Sequence, residues 1–330
     1  MKKILLVALA AAAMVGCSQN EEIDNAAQKV EINFGTVVSS TTRAVVTDLD
    51  KLKEAGVGFT VYAYNTGDAE MATVTKAIDM KSFIDGKKAT FSTAWDIEGA
   101  PYHWPLLNKI QFFALGNPGT ATLSYNVPTD AAIYPSFTYT VADVDNQTDL
   151  VVAKVLNANQ KDNKAGVSLP FTHALAQVNF TVKSTDEYTY KVKSIEISGV
   201  SNTGTYNFST DKWTNLSGTG VSYKKTYAEG SEIVASAEGV EVNTAWMLMP
   251  QTMPASADVA ALKITYGVYV GSESMGPDVV STIDLKGTTA WAVGKKIRYT
   301  LSLSYAGAEI KFIVPEIGAW NTNDDENVEK

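Results

Sequence analysis

The sequence predicts an all-β protein made of two tandem antiparallel β-sandwich domains. Three observations predict it. Apolar residues recur with a period of two along many short segments, most cleanly in Leu262-Ile264-Tyr266-Val268-Val270 and Ile297-Tyr299-Leu301-Leu303-Tyr305. That spacing turns one face of each strand to a core and the other to water. Turn-forming residues separate the runs, as in Asn117-Pro118-Gly119, Ser201-Asn202-Thr203-Gly204 and Ser217-Gly218-Thr219-Gly220. Helical patterning is confined to residues 48–55, where Asp48 stands as a cap before Leu49 and Leu52. The length of 330 residues suits two domains of ordinary size, and a hydrophobic content of 45% supplies their cores.

The chain opens with Lys2 and Lys3 followed by an apolar run over residues 4–15. A membrane-spanning helix needs about 20 residues, so this run reads as a secretory signal peptide over residues 1–16. Its end, Met14-Val15-Gly16-Cys17, has the form of a lipobox: small residues and then a cysteine. Removal of the signal would leave Cys17 to carry diacylglycerol and an amide-linked acyl chain such as palmitate. Several acyl chains give stable attachment, at roughly 0.8 kcal/mol per buried methylene. Cys17 is the only cysteine, so no disulfide within the chain can brace this exported protein. Residues 17–28 are polar and read as a tether to the outer membrane of a Gram-negative cell, with early acidic residues of the kind that direct surface export.

Residues 29–184 are expected to form the first domain. It begins with Val30, Ile32 and Phe34 alternating with Glu31 and Asn33, continues through Phe59-Val61-Ala63, and closes on Val178-Phe180-Val182. The polar run Ser184-Thr185-Asp186-Glu187 marks the boundary, because a new alternating pattern starts at Val192. Residues 185–330 then form the second domain.

Composition and motifs exclude several functions. After removal of residues 1–16 the chain has 25 basic and 36 acidic residues, a net charge of −11, with no basic cluster to neutralise nucleic-acid phosphates. The two histidines, His103 and His173, lie among apolar or aromatic neighbours, and no Gly-x-Ser-x-Gly elbow supports a hydrolase. Two distant histidines and one acylated cysteine do not make a zinc site. Asp143-Val144-Asp145-Asn146-Gln147-Thr148-Asp149 looks like a calcium loop but has Thr148 in place of the turn glycine and Lys154 in place of the bidentate glutamate. It reads as a turn before a strand at residues 150–153. No enzymatic activity and no cofactor are expected.

Five segments together resemble the fimbrillin family, whose members build type V pili of anaerobic Gram-negative bacteria. They are Thr41-Thr42-Arg43-Ala44; Tyr102-His103-Trp104-Pro105 leading into Ile110-Gln111-Phe112-Phe113-Ala114; and Thr148-Asp149-Leu150-Val151-Val152-Ala153 followed by Val167-Ser168-Leu169-Pro170-Phe171-Thr172-His173-Ala174-Leu175-Ala176-Gln177-Val178. Trp246-Met247-Leu248-Met249-Pro250-Gln251 and Gly294-Lys295-Lys296-Ile297 complete the set. The resemblance implies transthyretin-like domains and a cell-surface fimbrium that supports adhesion. It also implies partners: other pilus subunits, and a trypsin-like, Arg-specific protease that cuts between Arg43 and Ala44. Such a cut removes the strand carrying Val30, Ile32 and Phe34 and leaves an open groove for a strand donated by a neighbour. Near the carboxyl end Ile310, Phe312, Val314, Ile317 and Trp320 offer apolar anchors for that donor, whereas residues 321–330 are too polar to serve. A surface lipoprotein that binds glycan or a host ligand without polymerising is the alternative.

Overall fold

A computed structural model describes residues 29–35, 38–39, 49–116, 119, 121–184, 186–243, 245–253, 260–285, 290–305 and 311–319. The first half contains β1 (Val38–Ser39), β2 (Phe59–Asn65), β3 (Lys81–Phe91), β4 (Trp95–Ile97) and β5 (Ile110–Gly116). It continues with β6 (Thr122–Asn126), β7 (Ser136–Thr140), β8 (Val151–Ala158) and β9 (Pro170–His173). The second half starts with β10 (Ala176–Ser184), β11 (Thr189–Ser198), β12 (Thr203–Asn207), β13 (Lys212–Ser217) and β14 (Ser222–Thr226). Next come β15 (Ile233–Val234), β16 (Val240–Glu241), β17 (Trp246–Leu248) and β18 (Ala261–Val270). The last strands are β19 (Glu273–Ser274), β20 (Val279–Asp284), β21 (Lys295–Leu303) and β22 (Lys311–Ala319). The helical segment expected at residues 48–55 is a short 3₁₀ turn, Leu49–Lys53, which buries Leu52; Asp48 lies outside the described residues.

The described residues form four sheets. One has seven strands in the order β1-β9-β8-β5-β2-β3-β4, and β5 at its centre is buried on both faces. Ile110, Phe112 and Ala114 face one core together with Phe59, Val61 and Ala63. Phe113 and Leu115 face the other, toward the four-stranded sheet β13-β12-β7-β6. Burial on both sides explains why Ile-Gln-Phe-Phe-Ala-Leu-Gly reads as a nearly continuous apolar run where a half-buried strand would alternate. The second core runs on without a break into the carboxyl-terminal sheets, through Phe180, Tyr190, Ile264 and Tyr299.

Those sheets are built on β10-β21-β22 and on β14-β11-β18. Within this mostly antiparallel frame two pairings are parallel, β1 with β9 and β10 with β21. Strand β10, on the amino-terminal side of the boundary expected after residue 184, is hydrogen bonded to β21 along Gln177–Ser184. Strands β12 and β13, on the other side, complete the sheet begun by β6 and β7. Among the described residues several side-chain contacts cross between the halves, including Lys154 Nζ with Asp211 (2.7 Å) and Thr140 Oγ1 with Thr203 Oγ1 (2.9 Å). The Met247 amide donates to Gln147 Oε1 (2.9 Å), Lys225 Nζ pairs with Asp145 (2.8 Å), and Trp213 Nε1 donates to the Ala174 carbonyl (2.6 Å).

Gly58 opens β2 with φ of +63°, and a β-carbon there would collide with the Ala89 carbonyl oxygen on β3. Gly58→Ala combines a left-handed backbone with a main-chain clash, so we expect a loss of about 2–3 kcal/mol, measured by urea unfolding.

Candidate assembly site

Residues 30–35 run between two stretches of chain that are distant in sequence. On one side the Ile32 amide donates to the Tyr102 carbonyl (2.7 Å) and the Trp104 amide to the Val30 carbonyl (2.9 Å), an antiparallel arrangement with Glu31 opposite His103. On the other side the Val167 amide donates to the Asn33 carbonyl (2.7 Å) and the Gly35 amide to the Val167 carbonyl (2.9 Å), with Phe34 and Val167 in parallel register. The segment fills a slot and bonds to both walls.

Its alternation sets what it buries. Glu31 and Asn33 are exposed, whereas Ile32 is 2% and Phe34 6% accessible. The Phe34 ring meets Phe59 edge-on at 5.3 Å and Phe112 at 5.9 Å, within a cluster that also holds Trp95, Trp104 and Phe171. Burying these two side chains contributes about 1.5–3 kcal/mol each, and edge-to-face pairs add about 0.5–1.5 kcal/mol. Gly166 lets the slot close. Its φ is +106°, and a β-carbon there would lie 2.8 Å from the Gly35 nitrogen. In the sequence Tyr102, Trp104 and Val167 stand only as parts of motifs and Gly166 carries no signal, because their role as walls depends on residues 30–35, far away along the chain.

The expected donor residues lie elsewhere. Phe312, Val314 and Ile317 fall on β22, which pairs antiparallel with β21 of the same chain and forms an edge of its sheet. The register sets Phe312 opposite Leu301 and Ile317 opposite Ile297, both of which are fully buried. The ladder slips between Arg298 and Thr300, next to Pro315. A bulge on an edge strand is where proline, lacking an N–H, is tolerated. No pairing among the described residues joins β22 to residues 30–35. Cys17, Arg43, Ala44, Ile310 and Trp320 lie outside the described residues.

The histidines have distinct settings. His103 is a wall of the slot. His173, at the end of β9, is 5% accessible and its Nδ1 lies 2.7 Å from Oδ2 of Asp149, which is 6% accessible. This buried pair joins the start of β8 to the end of β9 in the interior, out of a substrate's reach. In the acidic loop, Asp143 Oδ1 accepts from the Asp145 amide (3.2 Å) and from Asn146 Nδ2 (2.9 Å), so its carboxylate shapes the turn into β8. Burial dominates tyrosine ionisation: the Tyr64 hydroxyl, 3.3 Å from that of Tyr125, is pushed up to about 12.

Comparison with known proteins agrees with this architecture. A fimbrium subunit, Fim1C, of Phocaeicola vulgatus is 28% identical over 200 residues, which cover 55% of this chain and 51% of that relative, about half its length. A Bacteroides uniformis protein whose name also carries Fim1C is 26% identical over 321 residues, covering 94% of this chain and 93% of its own. The crystal structure of a fimbrial protein from Bacteroides vulgatus superposes with a TM-score of 0.67 at 21% identity, covering 88% of this chain and 99% of that one, and so shares the fold. The profile of the family described as Fimbrillin-like matches residues 42–320, nearly the whole length after the tether, and the chain belongs to that family.

Proposed function

We propose that this protein is a structural subunit of a cell-surface pilus. It is exported as a lipoprotein through Cys17, cut after Arg43 by an Arg-specific protease, and polymerised by donor-strand exchange with other subunits. The observation that carries this reading is the slot: Ile32 and Phe34 are buried in a core, yet lie upstream of Arg43, one of only two arginines in the chain.

While the segment remains attached, its local concentration is high and it returns to the slot each time it leaves. A cut at Arg43 makes its retention bimolecular, so the four main-chain hydrogen bonds of residues 30–35, the β1–β9 pairing and two apolar side chains no longer guarantee its return once it has left. Departure bares the backbone groups of residues 102–104 and 167 and a pocket lined by Phe59, Phe112 and Trp104, a template that an extended donor strand completes. Ile310, Phe312 and Val314 alternate at the spacing such pockets take, and β22 sits at a sheet edge, where leaving breaks one ladder instead of two.

Among the described tryptophans, Trp95, Trp104, Trp246 and Trp291 are buried and Trp213 is half-buried with its indole N–H bonded to the Ala174 carbonyl, which lends little support to a sugar-stacking platform. The test is Arg43→Ala. Treated with an Arg-specific protease, the variant is expected to stay monomeric while the wild-type chain assembles, as followed by sedimentation and electron microscopy. Assembly of the variant at the wild-type rate would sink the processing step.

A further inference from the structure

The chain holds 25 lysines and only two arginines, Arg43 and Arg298. Lysines stand at many exposed positions, among them Lys51, Lys53, Lys161 and Lys164, so a protease that accepts lysine finds several sites. One that requires arginine finds two, and the second is locked in the fold. Arg298 lies in the middle of β21, paired with Asn179 on β10 and with Glu316 on β22. Its guanidinium Nη2 donates to Glu241 Oε1 on β16 (2.8 Å). The residue on the far side of the scissile bond, Tyr299, is fully buried, stacks on Phe180 at 5.5 Å and accepts a hydrogen bond from Trp291 Nε1 (2.9 Å).

Endoproteases bind their substrates as extended strands through the same backbone groups that this sheet already uses. We infer that the Arg298–Tyr299 bond is a second, conditional cleavage site for an arginine-specific endoprotease, closed in the folded subunit and opened when the β10-β21-β22 sheet comes apart. Hydrolysis would add one water across that amide, leaving a carboxylate on Arg298 and an amine on Tyr299, and would release residues 299–330 with β22. The inference rests on the proposed processing for the identity of the protease. Its consequence is that one enzyme both matures folded subunits and removes the donor strand from misfolded ones.

The experiment digests the full chain with an arginine-specific endoprotease and follows residues 299–330 by mass spectrometry, with a free peptide of residues 294–303 as the unstructured reference. Release from the folded chain is expected to be more than about a thousandfold slower than cutting of the peptide, because cleavage waits on an open state of low population. Phe180→Ala, which removes the ring stacked on Tyr299 and leaves the cut sequence intact, is expected to accelerate release by about tenfold or more. Release from the wild-type chain within tenfold of the peptide rate would overturn the inference, and so would an unchanged rate in Phe180→Ala. Cutting after Arg43 is scored separately in the same digest. Its absence would count against the processing step and leave the comparison at Arg298 intact.

Discussion

Replacing Phe34 by alanine is expected to destabilise the uncut chain by about 3–5 kcal/mol, as an aromatic-to-alanine change in a core does. The ring packs against Phe59 and Phe112 in the amino-terminal core, and its removal leaves a cavity among them. A chain that begins at Ala44 should be less stable still, because it also loses Ile32 and the main-chain hydrogen bonds of residues 30–35. Adding a synthetic peptide of residues 29–38 should then restore stability to the shortened chain, and the same peptide carrying Phe34→Ala should not. Urea unfolding with and without peptide reads both effects. A shortened chain as stable as the whole one would mean that the segment is not part of the core.

A comparable loss, about 3–5 kcal/mol, is expected for His173→Ala, for a different reason. His173 and Asp149 are both almost fully buried with 2.7 Å between their nitrogen and oxygen, and removing the imidazole strands a carboxylate in the interior. Replacing both by alanine removes the charge with its partner, so the double variant should lose less than the sum of His173→Ala and Asp149→Ala. The coupling measured in that cycle separates a buried ion pair from simple loss of packing. A double variant that loses the sum of the two single changes would show that the pair is not coupled.

The alternation that made the fold legible did so because it depends only on each strand's own two faces. Phe59, Val61 and Ala63, then Val178, Phe180 and Val182, and Ile297, Tyr299, Leu301 and Leu303 are all buried as their spacing predicts. The pattern fails where a strand outruns its sheet. Val270, in the hairpin to β19, is 51% exposed, and Tyr305, past the end of β21, is 49% exposed. Which strands pair was not legible, because a period of two carries no information about partners. Strand β10 ends next to a polar run that looks like a boundary, yet its ladder is with β21, more than 100 residues downstream. The same limit hid the slot. Ile32 and Phe34 announce a strand, but Tyr102, Trp104, Gly166 and Val167 become its walls only once the chain has folded.

On the proposed route the subunit joins a polymer after losing residues up to Arg43. The most direct measurement is the intact mass of the protein in fibres isolated from its own cell surface. A chain that begins at Ala44 and carries no lipid is expected. An assembled chain that still begins at an acylated Cys17 would contradict it.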